Sequence, residues 1–348
     1  MSIKTYCVQE FLKSPGVFCD VRSPIEYEHA HIPNAYNLAL FTDDERARVG
    51  TTYKKIGRQE AIDLGVELVG PRLSEYAKSA KSIIKNLPDE SVLKIYCARG
   101  GMRSQFLAWF LQFIGNKVIT LQGGYKAYRR HVLDVLSNSS HKFIVLGGMT
   151  GLGKTKLLSE LQKRDEQVLD LECLAKHKGS AFGYDPNVVQ PSPEYFENLL
   201  FGELCALLCD KLTWIEDESR LIGRCVVPDR IFQSMKSSPL IVLKTTIEER
   251  IARIREEYAE YSKEWWMHST SCIKKRLGGA LTQKIIALIE QGNFEDAISN
   301  LLGYYDASYE YSMRRHSGKI ITVDVSNLSF NKRIQLLQEV KNCESAKI

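Results

Sequence analysis

Apolar runs of four or five residues, each closed by a glycine, a proline or a charged turn, recur along the chain and alternate with longer stretches of helical period. The runs at 17–20, 93–96 and 117–121 predict strands in the first part of the chain. Those at 143–146, 168–171, 212–215, 225–227, 240–243 and 320–323 predict strands in the second. Ser23-Pro24 opens a short helix, and Ile32-Pro33-Asn34-Ala35 turns the chain back into another strand. The charged stretch 41–69 is helix-prone and reads as an insertion packed on the first domain, beside the approach to a later loop. Further helices are predicted at 154–163, at 245–258, through most of 263–311 and at 331–342. Strands alternating with helices imply an α/β chain with parallel sheets.

The polar segment SNSSH at 137–141 separates two stretches of different composition, which divides the chain into a domain at 1–136, a linker and a domain at 142–348. A hydrophobic fraction of 44% excludes wholesale disorder, and a net charge of +5 permits an acidic partner without requiring one. The first residues lack the apolar run of a signal peptide, and the longest apolar stretch, 106–114, is too short to span a bilayer. A cytoplasmic protein without membrane contact is expected. Nine cysteines without a CxxC pair fit a reducing compartment. Cys205 and Cys209 read as core packing on one helix face, and His29 and His31 as structural or surface residues.

The chemistry concentrates in two glycine-rich segments. In LKIYCARGGMRS, residues 93–104, Cys97 directly follows a strand, and Arg99, Gly100, Gly101 and Arg103 come within the next six residues. The glycines free the backbone to turn its amides inward, and Ser104 is placed to cap a helix through Phe106, Leu107, Phe110 and Leu111. Amides, a helix N-terminus and two guanidinium groups all favour a thiolate. A buried structural cysteine needs none of them. Cys97, Arg99, Gly100, Gly101 and Arg103 are therefore the candidate catalytic loop.

The second segment, GGMTGLGKT at 147–155, satisfies the Walker A pattern between a strand and a helix. Gly148, Thr150, Gly151, Gly153 and Lys154 are candidates to cradle a di- or triphosphate, and Thr155 can ligate Mg²⁺. Asp170, Glu172 and Glu216 fall at strand ends, where they can hold Mg²⁺ or orient a nucleophile, although the run Glu216-Asp217-Glu218 is expected to contain a bystander. Residues 245–258 resemble the lid of small P-loop kinases, with Arg250, Arg253 or Arg255 available to a phosphate; ion pairing along the helix is the alternative.

Three clusters are candidates for contact with RNA. QGGYKAYRR at 122–130 interleaves Tyr125 and Tyr128 with Lys126, Arg129 and Arg130, a mixture suited to stacking on bases and contacting phosphates. A solvated basic helix end with two packing tyrosines fits it equally well. Lys274, Lys275 and Arg276 form a second cluster, and Arg314, Arg315 and Lys319 a third. Trp265 and Trp266 read as buried packing.

The motif DVRSPIEYEHAHIPNAYNL at 20–38, with the Cys97 loop at the matching separation, resembles the signature of rhodanese-fold domains. Together with ERARVGTTYKK, QGGYKAYR, the Walker A segment, DLECLAKHKGSAFG, IEDESRLIG and KKRLGG, the whole chain resembles the tRNA 2-selenouridine synthase family. The resemblance implies an N-terminal rhodanese-like domain and a C-terminal P-loop domain with a helical C-terminal region. It also implies a tRNA with 2-thiouridine at the wobble position as partner. Sulfur would be replaced by selenium in two steps, S-geranylation by geranyl diphosphate and selenation by selenophosphate. On this reading Cys97 carries selenium as a selenosulfide, no cofactor is tightly bound, Mg²⁺ is optional, and an enzyme supplying selenophosphate is an allowed partner. The C-x5-R spacing from Cys97 to Arg103, followed by Ser104, also describes cysteine phosphatases, so a cysteine-dependent phosphatase fused to a nucleotide kinase is the alternative. A third reading is a nucleotide-gated RNA-binding adaptor.

Overall fold

The computed structural model describes residues 3–85, 92–178 and 188–346. The chain divides into two compact units, Met1–Val135 together with Glu197–Phe201, and Leu136–Phe196 together with Gly202–Ile348. Residues 179–183, in the HKGSAFG motif, lie outside the described residues.

The first unit runs β1 (Lys4–Tyr6), α1 (Val8–Lys13), β2 (Val17–Asp20), α2 (Pro24–His29), β3 (Tyr36–Asn37), α3 (Asp43–Lys55), α4 (Arg58–Val69), a 3-10 turn at Gly70–Arg72, α5 (Leu73–Lys85), β4 (Leu93–Tyr96), α6 (Met102–Phe113), β5 (Val118–Leu121) and α7 (Gly124–Ser137). Its five strands pair in the order β1-β5-β4-β2-β3, all parallel. Every residue of β4 and β5 is buried, as expected for strands covered on both faces. Leu93, Ile95, Leu107, Ala108 and Leu111 join Leu38, Leu40 and Val69 in one apolar core. The 41–69 insertion is thus two helices that pack into the domain.

The motif at 20–22 is structural. Asp20 and Arg22 form a fully buried ion pair at 2.6 Å, Arg22 also donates to the carbonyl of Ala30, and Asn37 bonds the carbonyls of Asp20 and Arg22. A charge at this depth is tolerated because both partners are saturated with hydrogen bonds.

The second unit runs β6 (Lys142–Gly148), α8 (Lys154–Lys163), β7 (Val168–Leu169), α9 (Leu171–Ala175), α10 (Pro193–Ala206), β8 (Leu212–Glu216), β9 (Leu221–Ile222), β10 (Cys225–Val226), α11 (Asp229–Ser237), β11 (Leu240–Lys244), α12 (Ile247–Glu257), α13 (Lys263–Cys272), α14 (Lys274–Leu277), α15 (Gly279–Glu290), α16 (Phe294–Met313), β12 (Ile320–Asp324) and α17 (Phe330–Ser345). Five strands form a parallel sheet in the order β12-β11-β6-β8-β7. Helices α12 to α16 bury a second core around Trp266, Ile285, Ile298 and Leu302.

Four expectations need correction. The run at 225–227 is not part of the parallel sheet; Cys225 pairs antiparallel with Ile222 in a separate two-stranded hairpin, because Gly223 at φ +59 supplies a tight turn. The strand expected over 168–171 stops at Leu169, where Asp170 caps α9 by accepting from the amide of Cys173 at 2.8 Å. Ser137, placed in the linker, ends α7. Cys205 and Cys209 are exposed rather than packed in a core, since α10 ends at Ala206 and Cys209 lies beyond it.

Lys94 occupies a fully buried position in β4, with Nζ bonded to the carbonyls of Ser14 (2.6 Å) and Leu12 (3.3 Å) and held 4.0 Å from the Phe18 ring centroid. Burial lowers its pKa to about 8. Between pH 8 and 10 the unfolded chain therefore keeps a proton on Lys94 that the folded chain has released, so this residue makes stability rise with pH in that window. The difference in unfolding free energy between the native chain and Lys94→Met, measured by denaturant titration, is expected to move in favour of the native residue from pH 8 to pH 10. A pH-independent difference contradicts this.

Candidate functional site

The Cys97 loop forms where β4 ends. Because β4 and β5 are parallel neighbours, the segments leaving their C-terminal ends meet. The amide of Tyr125 donates to the carbonyl of Cys97 (2.8 Å) and that of Lys126 to the carbonyl of Ala98 (3.0 Å). Gly100 (φ +66) and Gly124 (φ +59) permit this approach; a Cβ on Gly124 would lie 2.2 Å from the carbonyl oxygen of Cys97. The carbonyls of Cys97 and Ala98 are thereby engaged, whereas the amides of residues 98–102 have no acceptor among the described residues. A run of unpaired amides suits a cradle for an anion, although the Gly101 carbonyl stands 3.9 Å from Cys97 Sγ.

Cys97 is 3% exposed. Its Sγ lies 3.2 Å from Ser104 Oγ, which donates to the carbonyl of Gly101 at 3.0 Å. Ser104 is therefore not the helix cap expected from its position. Helix α6 begins two residues earlier, with Gly101 as N-cap, and this turns Ser104 back toward the thiol. Arg99 is exposed, and Arg103 Nη1 donates to Glu26 Oε2 at 2.8 Å. Glu26 also closes a capping box on Ser23, so one side chain serves both the start of α2 and Arg103.

Of the basic clusters, Lys126 and Arg130 are exposed, while Arg129 is bonded to Glu197 and Asn198. Tyr125 and Tyr128 are buried, Tyr125 beneath Arg22 and Tyr128 edge-on to Phe201, so stacking on bases is not their role. Lys274, Lys275 and Arg276 form the short exposed helix α14. Arg315 lies over the Tyr311 ring, and Lys319 pairs with Glu344.

The Walker A segment joins β6 to α8, with Gly148, Gly151 and Gly153 at positive φ. Lys154 Nζ bonds the carbonyl of Gly148 at 3.0 Å. The loop is held from outside. Arg250, 4% exposed, donates to the carbonyl of Thr150 (2.8 Å) and makes a bidentate pair with Asp306. Arg253 donates to the carbonyl of Leu152, and Arg255 pairs with Glu295. These three arginines therefore brace the loop and its helices instead of standing open as a lid. Tyr309 accepts a hydrogen bond from the amide of Gly148 at 2.8 Å; no local pattern announces it, since the two are 161 residues apart.

Beside the loop, carboxylate oxygens of Glu172, Glu216 and Glu218 lie within 4.8 Å of one another, and Thr155 Oγ1 lies 3.2 Å from both Glu172 and Glu216, able to donate to either. Burial and then mutual repulsion raise Glu172 and Glu216 to about 8 and Glu218 to about 7, against the opposing field of Lys154. Glu216 Oε2 is buried without a partner. The bystander of the acidic run is Asp217, which bonds Lys236 at 2.8 Å. Strand β8 ends at Glu216, and the chain then turns, with the amide of Glu218 donating to the carbonyl of Glu216 at 2.9 Å. Asp170 serves as the cap of α9 and is not among the clustered oxygens.

Among the described residues no helix is long and apolar enough to cross a membrane. Residues 6–131 match the Rhodanese-like domain family, and residues 141–335 match the tRNA 2-selenouridine synthase AAA domain. Proteins described as tRNA 2-selenouridine synthase from Marinobacter nauticus and a Sulfurovum species are 34% and 37% identical to the chain, each across 87% of it and across 89% and 90% of their own lengths. One from Hydrogenovibrio crunogenus is 36% identical across 86% of the chain and 90% of its own length.

The cradle depends on bare backbone at one position more than at another. Gly124→Ala is expected to cost roughly 1–3 kcal/mol in strain, read as a fall in the denaturation midpoint. Gly101→Ala, where φ is −98 and nothing lies within 4 Å of the added carbon, is expected to cost much less. Equal effects would contradict this geometry.

Proposed function

The chain belongs to the tRNA 2-selenouridine synthase family, and from that premise we propose that it replaces sulfur by selenium in two steps divided between its two sites. It is an enzyme acting on tRNA. In the first step the thiocarbonyl sulfur of a wobble 2-thiouridine attacks C1 of geranyl diphosphate, the C–O bond breaks and diphosphate leaves. The Walker A amides and Lys154 stabilise the charge that the diphosphate gains. In the second step C2, now carrying an alkylated sulfur, is attacked by a selenium nucleophile from selenophosphate, and geranyl thiolate departs with the C–S bond pair.

The observation that carries this reading is the Cys97 loop, a thiol followed by a run of amides unpaired among the described residues, with Arg103 six residues on and paired to Glu26. Such a loop suits a tetrahedral anion such as selenophosphate. The selenosulfide implied by the family resemblance requires selenium at the zero-valent level, whereas selenophosphate delivers selenide. The electron count closes without an oxidant when Cys97 acts at carbon. Its thiolate displaces geranyl thiolate from C2, the selenium of bound selenophosphate then displaces Cys97, and water cleaves the P–Se bond to release phosphate.

The carboxylate cluster fits a divalent cation. Three oxygens converge, Glu216 Oε2 is buried and unsatisfied, and Thr155 lies within reach of two of the acids. Glu172, Glu216, Glu218 and Thr155 would hold Mg²⁺, which when bound supplies charge neutralisation to a diphosphate. The exposed Lys274, Lys275 and Arg276 are available to tRNA phosphates, and an enzyme supplying selenophosphate is the upstream partner this chemistry requires.

Incubation of 2-thiouridine tRNA with geranyl diphosphate alone is expected to give the S-geranyl nucleoside by mass spectrometry, and Lys154→Ala to lower its yield by at least about a hundredfold. Undiminished geranylation in a folded Lys154→Ala chain would overturn the assignment of this step to the P-loop.

A further inference from the structure

The anion cradle leaves one carboxylate to explain. A single oxygen of Glu26 accepts from Arg103 Nη1 at 2.8 Å and from the amide of Ser23 at 3.2 Å, and lies 3.6 Å from Arg46 Nε. Arg103 belongs to the Cys97 loop, whereas Arg46 comes from α3 in the 41–69 insertion. The side chains of Glu26 and Arg103 are 18% and 23% exposed, and that of Arg46 is 50% exposed. Capping α2 requires only the Ser23 contact. Burial alone would raise Glu26, but Arg103, the Ser23 amide and Arg46 outweigh it and hold the carboxyl below its usual range.

On the cradle reading a tetrahedral anion entering the loop draws on the Arg103 guanidinium, which Glu26 already holds at 2.8 Å. Releasing Arg103 from a half-buried carboxylate is unfavourable unless another cation stays with that carboxylate. Arg46 is already in place to do so. We propose that Glu26 is the counter-charge that Arg103 gives up as the anion enters, and that Arg46 keeps Glu26 paired afterwards. Glu26 and Arg46 are thus positioning residues that set the affinity of the loop in opposite directions by acting through Arg103. The inference rests on the cradle reading of the Cys97 loop.

The test uses inorganic phosphate as probe and reads its protection of Cys97 against iodoacetamide in the full chain, with the Cys97 peptide resolved by mass spectrometry because Cys7, Cys173, Cys205, Cys209, Cys272 and Cys343 are exposed. Glu26→Gln keeps an oxygen for the Ser23 amide, so the helix cap survives. It is expected to tighten the protection constant about fivefold, and Arg46→Ala to weaken it about fivefold, the scale of one partly exposed ion pair. In the Glu26→Gln background the effect of Arg46→Ala is expected to vanish, a coupling that a merely structural role for either residue would not produce. Protection in the native chain that Glu26→Gln leaves unchanged or weakens would overturn the proposal while sparing the cradle. So would an Arg46→Ala effect of equal size in both backgrounds, which would mean that Arg46 meets the anion directly. Absence of protection in the native chain at any phosphate concentration would overturn the cradle reading, and this proposal with it.

Discussion

The first site depends on one close approach of backbone to backbone. The segment after β4 and the segment after β5 touch through the carbonyls of Cys97 and Ala98 and the amides of Tyr125 and Lys126, and Gly100 and Gly124 make room for the contact. With those carbonyls taken, the amides of residues 98–102 remain without an acceptor among the described residues. The parallel sheet supplies the setting, since it delivers neighbouring strands to the same edge.

The second unit solves a similar problem with side chains. Its phosphate loop is fixed from outside by Arg250, Arg253 and Tyr309, while Asp306 holds Arg250 in place. Each site also sets cations against carboxylates. Arg103 meets Glu26 at the thiol loop, and Lys154 faces Glu172, Glu216 and Glu218 at the phosphate loop.

Much of this was legible in the sequence because the signals are local. The strands at 17–20 and 93–96 and the helix at 154–163 follow from apolar runs and glycine punctuation, and the Walker A segment from spacing alone. The position of Ser104 was misread because a helix can begin at any of several residues after a glycine pair, and Gly101 took the cap. Cys205 and Cys209 were misread because apolar neighbours do not reveal that α10 ends between them. The roles of Tyr309, Glu26 and Arg250 were not legible, because each acts on a loop that is distant in sequence. The arginines of α12 look like a lid along the chain and act as braces in space.

The central claim is that selenation belongs to the Cys97 loop and alkylation to the phosphate loop. It is tested most directly by nucleoside mass spectrometry on 2-thiouridine tRNA incubated with geranyl diphosphate, selenophosphate and a folded Cys97→Ser chain. Serine is close in size to cysteine but is scarcely ionised near neutral pH. The account predicts that the S-geranyl nucleoside accumulates while 2-selenouridine fails to form. Selenouridine at the native level, or loss of both products, would contradict it.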